Sequence, residues 1–141
     1  MEVFDTIPQE IAALIPETQL KTARANLKKF SVAIASLKTK LDACPGIGKT
    51  RDLKDTPALF HFVYGGTDIY ICEYDRKNQM FGYKVTKGNV ERSKWGLIKL
   101  SDILSIQSVQ IDFSWSVQSI EAVLYKAYPY DFKIPPSLTY V

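Results

Sequence analysis

The chain contains one imidazole and two thiols that could take part in catalysis or bind a metal ion. His61 is the only histidine, and it lies between Phe60 and Phe62 in a run of strand-forming residues, where a structural role is the usual one. Cys44 and Cys72 are too far apart in the sequence to form a zinc-binding pair. We therefore expect no metal site and no nucleophile activated by a histidine.

A second candidate for chemistry is the segment 44–50, which ends in Gly-Lys-Thr as phosphate-binding loops do. Such a loop has a further glycine five residues before Gly48, where this chain has Ala43. It also follows a buried strand and opens a helix, so that its backbone amides converge on the phosphates. Here the segment follows a predicted helix, and Pro57 restricts what comes after it. The sequence predicts a loop that ends a helix, without a nucleotide or other cofactor.

Carboxylates are the remaining side chains that could hold a metal ion or act as an acid and a base. Several lie in or near predicted strands: Asp68, Glu73, Asp75, Asp102 and Asp112. Glu73 and Asp75 share one strand face, but basic residues follow them directly at 76 and 77. Surface ion pairing and the polarity of a turn explain this arrangement. We expect no catalytic residues, and the sequence predicts a protein that is not an enzyme.

Basic residues are distributed unevenly along a chain whose overall charge is small. Its 141 residues include 18 Lys and Arg against 15 Asp and Glu, a formal charge of +3. Residues 76–99 contain seven basic residues and one acidic residue, and residues 17–41 contain six and one. Residues 101–132 have the opposite balance, one basic and four acidic. The first segment gives a candidate interaction surface: Arg76, Lys77, Lys84, Lys87, Arg92, Lys94 and Trp95.

Three roles are open for this candidate surface. Basic side chains beside exposed aromatic rings, here Phe81, Tyr83 and Trp95, can hold a single nucleic acid strand through phosphate contacts and base stacking. The same charges can instead steer the protein onto an acidic protein surface. In the third case the lysines only solvate an outer face, and the aromatic rings fill the core.

The strongest local pattern is a stripe of apolar residues spaced alternately by three and four positions. It predicts one long amphipathic helix over 16–44, after a short helix over 8–15. At 1.5 Å per residue the long helix would measure about 43 Å, which exceeds the length of a six-residue strand. The stripe can pack on a sheet, or it can join two copies of the chain, so the protein is a monomer or a homodimer. The residues for self-association would be Leu20, Leu27, Phe30, Ile34, Leu37 and Leu41.

After Gly46 the pattern changes to the alternation that is typical of strands. The predicted strands cover 58–64, 67–75, 80–86, 94–100 and 108–115. Gly65-Gly66 is a tight turn, and Ser116 caps a short helix over 117–128. Short connections favour antiparallel pairing.

The predicted fold class is therefore α+β. The long N-terminal amphipathic helix packs with a mainly antiparallel sheet of about five strands and a short C-terminal helix. Residues 1–56 form the helical region, and residues 57–141 form the sheet, the short helix and an aromatic, proline-containing tail. We expect the two regions to make one folded unit.

The location of the protein is predicted from three absences. The first six residues contain Glu2 and Asp5 but no lysine or arginine, unlike the start of a signal peptide. No apolar run approaches the roughly 20 residues that span a bilayer. Two cysteines are fewer than a disulfide-stabilised secreted domain usually has. We expect a cytoplasmic protein that does not bind membranes.

A succession of acidic and aromatic segments in 68–115 carries a family resemblance. The segments are 71–75 (ICEYD), 80–83 (MFGY), 94–98 (KWGLI), 100–103 (LSDI) and 111–115 (IDFSW). In this order they resemble a small uncharacterised bacterial domain family found on plasmids, phages and conjugative elements. The resemblance implies a setting rather than an activity, that of accessory proteins of mobile elements, some of which modulate host defence or DNA processing.

These observations favour a non-enzymatic interaction protein of a mobile genetic element. In this hypothesis it is an accessory or inhibitor protein that acts on a host-defence or nucleic-acid-processing complex, and a candidate inhibitor of CRISPR systems. The alternative is a nucleic-acid-binding module that uses the basic and aromatic strands in 76–99. The first hypothesis expects a protein partner, and the second expects nucleic acid.

Overall fold

The computed structural model describes residues 6–138. Its helices are α1 (Gln9–Ala12), α2 (Glu17–Ala25), α3 (Leu27–Ala43), α4 (Leu100–Leu104) and α5 (Ile120–Ala127), with 3₁₀ turns at Val90–Arg92 and Pro136–Leu138. Its strands are β1 (Pro57–Ala58), β2 (Phe60–Tyr64), β3 (Thr67–Tyr74), β4 (Gln79–Thr86), β5 (Lys94–Lys99), β6 (Gln110–Ile111) and β7 (Gln118–Ser119). These elements confirm the α+β class.

Two sequence-based expectations concern residues beyond this range. The first is the expected absence of a signal peptide, which was inferred from residues 1–6, and residues 1–5 lie outside the described residues. The second is the predicted tail, whose last residues, 139–141, also lie outside them. Within residues 6–138, no helix combines the length and the apolar character that crossing a membrane requires.

The predicted long helix over 16–44 is two helices, because the backbone leaves the helical conformation at Asn26. The backbone angles there are φ −139° and ψ 52°, and the Asn26 side-chain amide donates to the carbonyl of Thr22 at 3.0 Å. Asparagine favours such breaks, since its side chain competes for backbone hydrogen bonds. The prediction of one uninterrupted helix was wrong, and α2 and α3 each carry part of the apolar stripe.

The apolar stripe packs into the core of the same chain. Ile34, Leu37 and Leu41 on α3 are buried and belong to the cluster that contains Phe60 and Phe62 of β2. The other three residues assigned to self-association are half-buried against that cluster: Leu20, Leu27 and Phe30. Packing on the sheet of the same chain therefore uses Ile34, Leu37 and Leu41 fully, and self-association through the half-buried Leu20, Leu27 and Phe30 stays a prediction.

The main sheet is an antiparallel meander extended by one short strand, in the order β5-β4-β3-β2-β6. The β2–β3 hairpin turns at Gly65-Gly66 as predicted, and the positive φ of 54° at Gly65 is a conformation that suits glycine. The fifth strand, predicted over 108–115, is only Gln110–Ile111. The edges of this sheet are therefore β5 and β6.

Each face of the main sheet is covered by different helices. The first core joins the N-terminal helices to the sheet through residues such as Ile11, Ile34, Ile71 and Met80. The second core joins α5 to the other face through Tyr70, Cys72, Tyr83, Ile120 and Leu124. Because the helical region and the sheet share the first core, neither region buries its apolar face alone.

Helix α5 is held in place by a second, two-stranded sheet that the sequence did not predict. Strand β7 pairs with β1 immediately before the helix. The Glu121 carboxylate accepts hydrogen bonds from the backbone amide of Thr56 at 2.8 Å and from its hydroxyl at 2.7 Å. Ser119, rather than the predicted Ser116, caps the helix by accepting from the amide of Ala122 at 3.1 Å.

Candidate protein-interaction surface

Strand β5 is one edge of the main sheet, and none of its six residues is buried. Its side chains alternate between two faces. Lys94, Gly96 and Ile98 share one face, and Trp95 and Leu97 lie on the other. We use the name β5 edge surface for a set of five residues: Lys84, Arg92, Lys94, Trp95 and Leu97.

Three basic residues of the β5 edge surface line a cleft on one face of the sheet. Lys94 lies directly across from Lys84 of β4, and Arg92 comes from the 3₁₀ turn that connects these strands. The cleft has a volume of about 300 Å³ and also includes Asn89 and Gly96. Within residues 6–138, no carboxylate oxygen lies within 4.0 Å of these three cations. The cleft therefore carries concentrated positive charge.

The opposite face of the same edge is aromatic and apolar. Trp95 stacks on Phe81 with ring centroids 5.7 Å apart, and it meets Tyr83 edge-on at 5.2 Å. The Arg51 guanidinium lies 3.9 Å from the centroid of the Phe81 ring. Trp95 is 38% exposed and Leu97 is 59% exposed. Exposed apolar side chains of this size beside a packed aromatic cluster are typical of an interaction site.

The predicted interaction surface is divided by the fold. Lys84, Arg92, Lys94 and Trp95 meet at β5, whereas Lys87 lies in the turn after β4 and is not among the residues that line the cleft. Arg76 and Lys77 precede β4, at its other end, and line a separate depression with α1 and α3 residues. The part of β4 from Gln79 to Lys84 separates the two groups by roughly 17 Å. The seven residues therefore do not form one patch.

Arg76 has an internal role, and its assignment to the interaction surface stays a prediction. Its guanidinium donates to the carbonyl of Leu41 at 2.8 Å and to that of Cys44 at 2.7 Å. These carbonyls end α3, where a cation also suits the helix dipole. The backbone of Arg76 has φ 61°, which is unusual for a residue with a side chain.

The segment 44–50 binds an anion, but the anion belongs to the chain itself. The buried carboxylate of Glu73 accepts from the backbone amides of Gly48 at 2.7 Å and Thr50 at 3.0 Å, and from the Thr50 hydroxyl. Burial alone would raise the pKa of Glu73, but these hydrogen bonds and the charge of Arg51 outweigh it and lower the pKa. Since Glu73 occupies the amides, the structure agrees with a loop that ends a helix.

His61 lies between two carboxylates that the sequence did not place beside it. Its Nε2 is 2.7 Å from Asp68 Oδ1, and its Nδ1 is 3.0 Å from Asp112 Oδ2. The ring stacks on Tyr70 at 4.8 Å. Burial alone would lower the pKa of His61, but the two carboxylates raise it above its ordinary value. The imidazole ring, through the contacts of both its nitrogens, therefore ties β2 to β3 and to the chain after β6, consistent with the predicted structural role.

The two thiols are poorly suited to nucleophilic chemistry. Both are buried and unpaired. Burial raises the pKa of Cys44 to about 12 and that of Cys72 to about 11, so the reactive thiolate is scarce at neutral pH. Within residues 6–138, no group of three or more His, Cys, Asp or Glu side chains is arranged to hold a metal ion.

Comparison with known proteins gives no relative from which a function could be transferred. No family model matches the chain, and no curated protein or solved structure is significantly similar to it.

Sequence reasoning missed Leu97 and Gly96, although a signal for both was present. Alternation along the predicted fourth strand places Leu97 on the Trp95 face and Gly96 on the Lys94 face. Arg51 had no such signal, because its contact with Phe81 joins a loop to a strand 30 positions away.

Proposed function

We propose that the protein is a non-enzymatic binding module that docks an acidic protein partner on the β5 edge surface. The observation that supports this proposal is the meeting of three cations and two exposed apolar side chains at one open strand. Interface anchors are commonly large apolar or aromatic side chains surrounded by polar groups that fix register.

The positive charge of the surface favours a partner whose binding surface is negatively charged. Lys84, Arg92 and Lys94 are exposed, and the nearest part of the sequence contains only Glu91 as an opposing charge. Such a local excess of one sign accelerates association with a surface of opposite sign and disfavours partners of like sign. An acidic partner is therefore favoured although the net charge of the whole chain is only +3.

The positions of the aromatic rings favour protein over nucleic acid. A single-stranded nucleic acid site needs stacking rings and phosphate-binding cations along one path. Here Lys84 lies on the face opposite Trp95, and the ring near its amine is that of the half-buried Tyr64, 5.9 Å away, while Lys94 lines cavities on both faces. Tyr83 is buried, and its hydroxyl is hydrogen-bonded to that of Ser93 at 2.9 Å. The nucleic-acid alternative is therefore the second candidate.

The resemblance over 68–115 supplies the setting of this proposal. Accessory proteins of mobile elements act on complexes of the host, so the expected partner is an acidic surface of a host-defence or nucleic-acid-processing complex. In this setting the protein would work as an inhibitor or an accessory subunit, by occupying a surface rather than by turning over a substrate.

Two charge-reversal variants test the proposal. K84E/R92E/K94E inverts the cleft, and K21E/K28E/K29E inverts the same number of exposed charges on α2 and α3 as a matched control. The wild type and both variants would be used to capture proteins from a bacterial lysate, and the captured proteins compared by quantitative mass spectrometry. We expect an acidic protein that the wild type and the helix variant retain and the cleft variant loses, with direct binding then confirmed between purified proteins.

Two outcomes contradict the proposal. One is that no captured protein distinguishes the cleft variant from the helix variant. The other is that a labelled single-stranded oligonucleotide binds the wild type and not the cleft variant, with an affinity that falls with salt by a log–log slope near −0.7 per phosphate contact. That result would establish the nucleic-acid alternative.

A further inference from the structure

The main-chain groups of β5 show which residues face outward. The amide of Leu100 donates to the carbonyl of Asn78 at 2.8 Å, which continues the β4–β5 register by one pair. Because successive residues of a strand direct their main-chain groups to opposite sides, residues 94, 96 and 98 bond to β4. The amides and carbonyls of Trp95 and Leu97 and the amide of Lys99 therefore point away from the sheet, and no hydrogen bond of the described residues uses them, whereas the Lys99 carbonyl caps the start of α4.

The other edge of the sheet is closed by a side chain. The amide group of Gln19 donates through Nε2 to the carbonyl of Ile111 at 3.0 Å and accepts through Oε1 from the amide of Ile111 at 2.7 Å. Gln19 thus takes the place of a neighbouring strand at β6, which is a common way to protect an edge. No equivalent side chain covers β5 among residues 6–138.

Lysines on β5 disfavour pairing of the open edge with a second copy of the chain. Lys94 and Lys99 stand at the two ends of the strand. In an antiparallel pair of two β5 strands the outward-facing residues must lie opposite each other, so Leu97 would face Leu97 and Trp95 would face Lys99, and lysines on an edge strand oppose such pairing between sheets. The same lysines would attract a strand that carries carboxylates, so they disfavour a second copy and favour an acidic segment.

Gly96 leaves room for that segment at the centre of the edge. A Cβ atom built on Gly96 has no heavy atom within 4 Å, and the residue lines the basic cleft between Lys94 and Ile98. A glycine within a strand often marks the close approach of a ligand or of another backbone. Side chains from an added strand can therefore reach Lys84 and Arg92 over this position.

We infer that the β5 edge binds an acidic extended segment of a partner protein as a sixth strand of the main sheet. In this mode the amides and carbonyls of Trp95 and Leu97 and the amide of Lys99 form the new ladder. Alternate residues of the segment are acidic and face the cleft, and the residues between them are apolar and contact Trp95 and Leu97. The inference rests on the proposed function and adds the binding mode and the sequence pattern of the partner.

The test uses a displayed library of random 12-residue peptides, selected on the wild-type protein. We expect the selected peptides to alternate Asp or Glu with apolar residues. Leu97→Pro removes one outward amide without removing a bond to β4, and proline is tolerated at such edge positions. Leu97→Ala is the matched control, because it shortens the side chain and keeps the amide. L97P loses one hydrogen bond of the ladder, and its pyrrolidine ring obstructs the approach of the peptide. Peptide binding to L97P should therefore be about tenfold weaker than binding to L97A.

A second measurement does not depend on how well L97P folds. A selected peptide is synthesised with N-methyl groups on alternate residues, in the two registers, and its affinity for the wild type is measured by fluorescence polarisation. Methylation in the register that faces β5 should abolish binding, and methylation in the other register should leave it.

The outcomes separate this inference from the proposed function. If both N-methylated peptides bind like the parent, while K84E/R92E/K94E still loses them, strand addition is wrong and docking on the basic surface stands. If the cleft variant binds the peptides like the wild type, both are wrong. Selected peptides without acidic residues, or no selected peptide at all, also overturn the inference.

Discussion

The carboxylate of Glu73 is bound by the backbone amide of Gly48 at 2.7 Å, inside the loop that ends in Gly-Lys-Thr. Converging amides of this kind are a common way to bind phosphate. Here the anion comes from strand β3 of the same chain, and the contact fixes the loop to the sheet. Arg51 continues from the loop to the Phe81 ring, so Glu73 also supports the aromatic side of the β5 edge surface.

Replacing this carboxylate should destabilise the fold. Glu73→Gln removes the charge and places an NH₂ group against amides that need an acceptor, so we expect the free energy of unfolding to fall by about 2–3 kcal/mol. Urea denaturation measures the change. Asp52→Asn, an exposed position in the same loop, removes one negative charge as a control and should stay within about 0.5 kcal/mol of the wild type. Equal midpoints for the two variants would contradict the role assigned to Glu73.

The sequence predicted the sheet better than the helical region, for a physical reason. Alternation and the Gly65-Gly66 turn are local signals, and they located β2, β3 and β4 to within about two residues. The apolar stripe continues through Asn26 without a change of period, so the stripe could not reveal that the helix breaks there. The strand pairing of β1 with β7 joins residues about 60 positions apart and has no local signal.

The candidate site was predictable only in part. Clustering of basic residues in 76–99 identified Lys84, Arg92 and Lys94. Closeness in sequence could not show that Arg76 lies apart from them, because β4 carries the chain to the other end of the sheet. That Gln19 closes the opposite edge, and leaves β5 as the open one, depends on a contact between residues 92 positions apart.

Because His61 lies between the carboxylates of Asp68 and Asp112, we expect the free energy of unfolding to decline as the pH rises. A histidine whose pKa is raised on folding stabilises the native state below its ordinary pKa of about 6.5, and this contribution is lost as the pH rises through the native value. Lys40, whose amine donates to the Trp115 carbonyl, also lies near Asp112, and burial lowers the pKa of this amine although the charge of Asp112 opposes the shift. Since His61 is the only histidine, NMR titration of its imidazole gives the pKa directly.

A substitution tests the cause of that shift. Asp112→Asn should lower the pKa of His61 and reduce the loss of stability between pH 6 and 8, because one of the two charge-assisted hydrogen bonds becomes neutral. Asp131→Asn, on the exposed C-terminal segment, is the control and should change neither quantity. A native His61 pKa at or below the ordinary value would contradict the ion-pair interpretation.

Two neighbouring basic residues of the β3–β4 turn, Arg76 and Lys77, should differ in how much they contribute to stability. Arg76→Ala leaves the carbonyls of Leu41 and Cys44 without their donor, and we expect a loss of about 1–2 kcal/mol in the free energy of unfolding. Lys77→Ala removes the same charge from the next position and should have almost no effect. Neither variant should alter binding at the β5 edge surface, whose cations lie roughly 17 Å away along β4. Reduced partner binding by R76A in its folded form would return Arg76 to the interaction surface.

Two glycines that face each other across β4 and β5 should respond in opposite ways to the same substitution. A Cβ on Gly82 would lie 1.9 Å from the carbonyl oxygen of Tyr70 and 2.9 Å from its carbonyl carbon, so the backbone of β3 would have to move. Gly82→Ala should therefore give a protein that is largely unfolded or insoluble. Gly96→Ala meets no atom within 4 Å and removes the flexibility of glycine from a strand, so its thermal midpoint should equal or exceed that of the wild type.

A second substitution at Gly96 should impair partner binding without impairing folding. Gly96→Glu should fold, since the cleft has space for the side chain. It would place a carboxylate among Lys84, Arg92 and Lys94, where an acidic partner must bind, and should weaken partner binding at least as much as loss of one of the cations does. Binding that survives Gly96→Glu but not K84E/R92E/K94E would mean that the partner contacts the lysines without approaching the edge of β5.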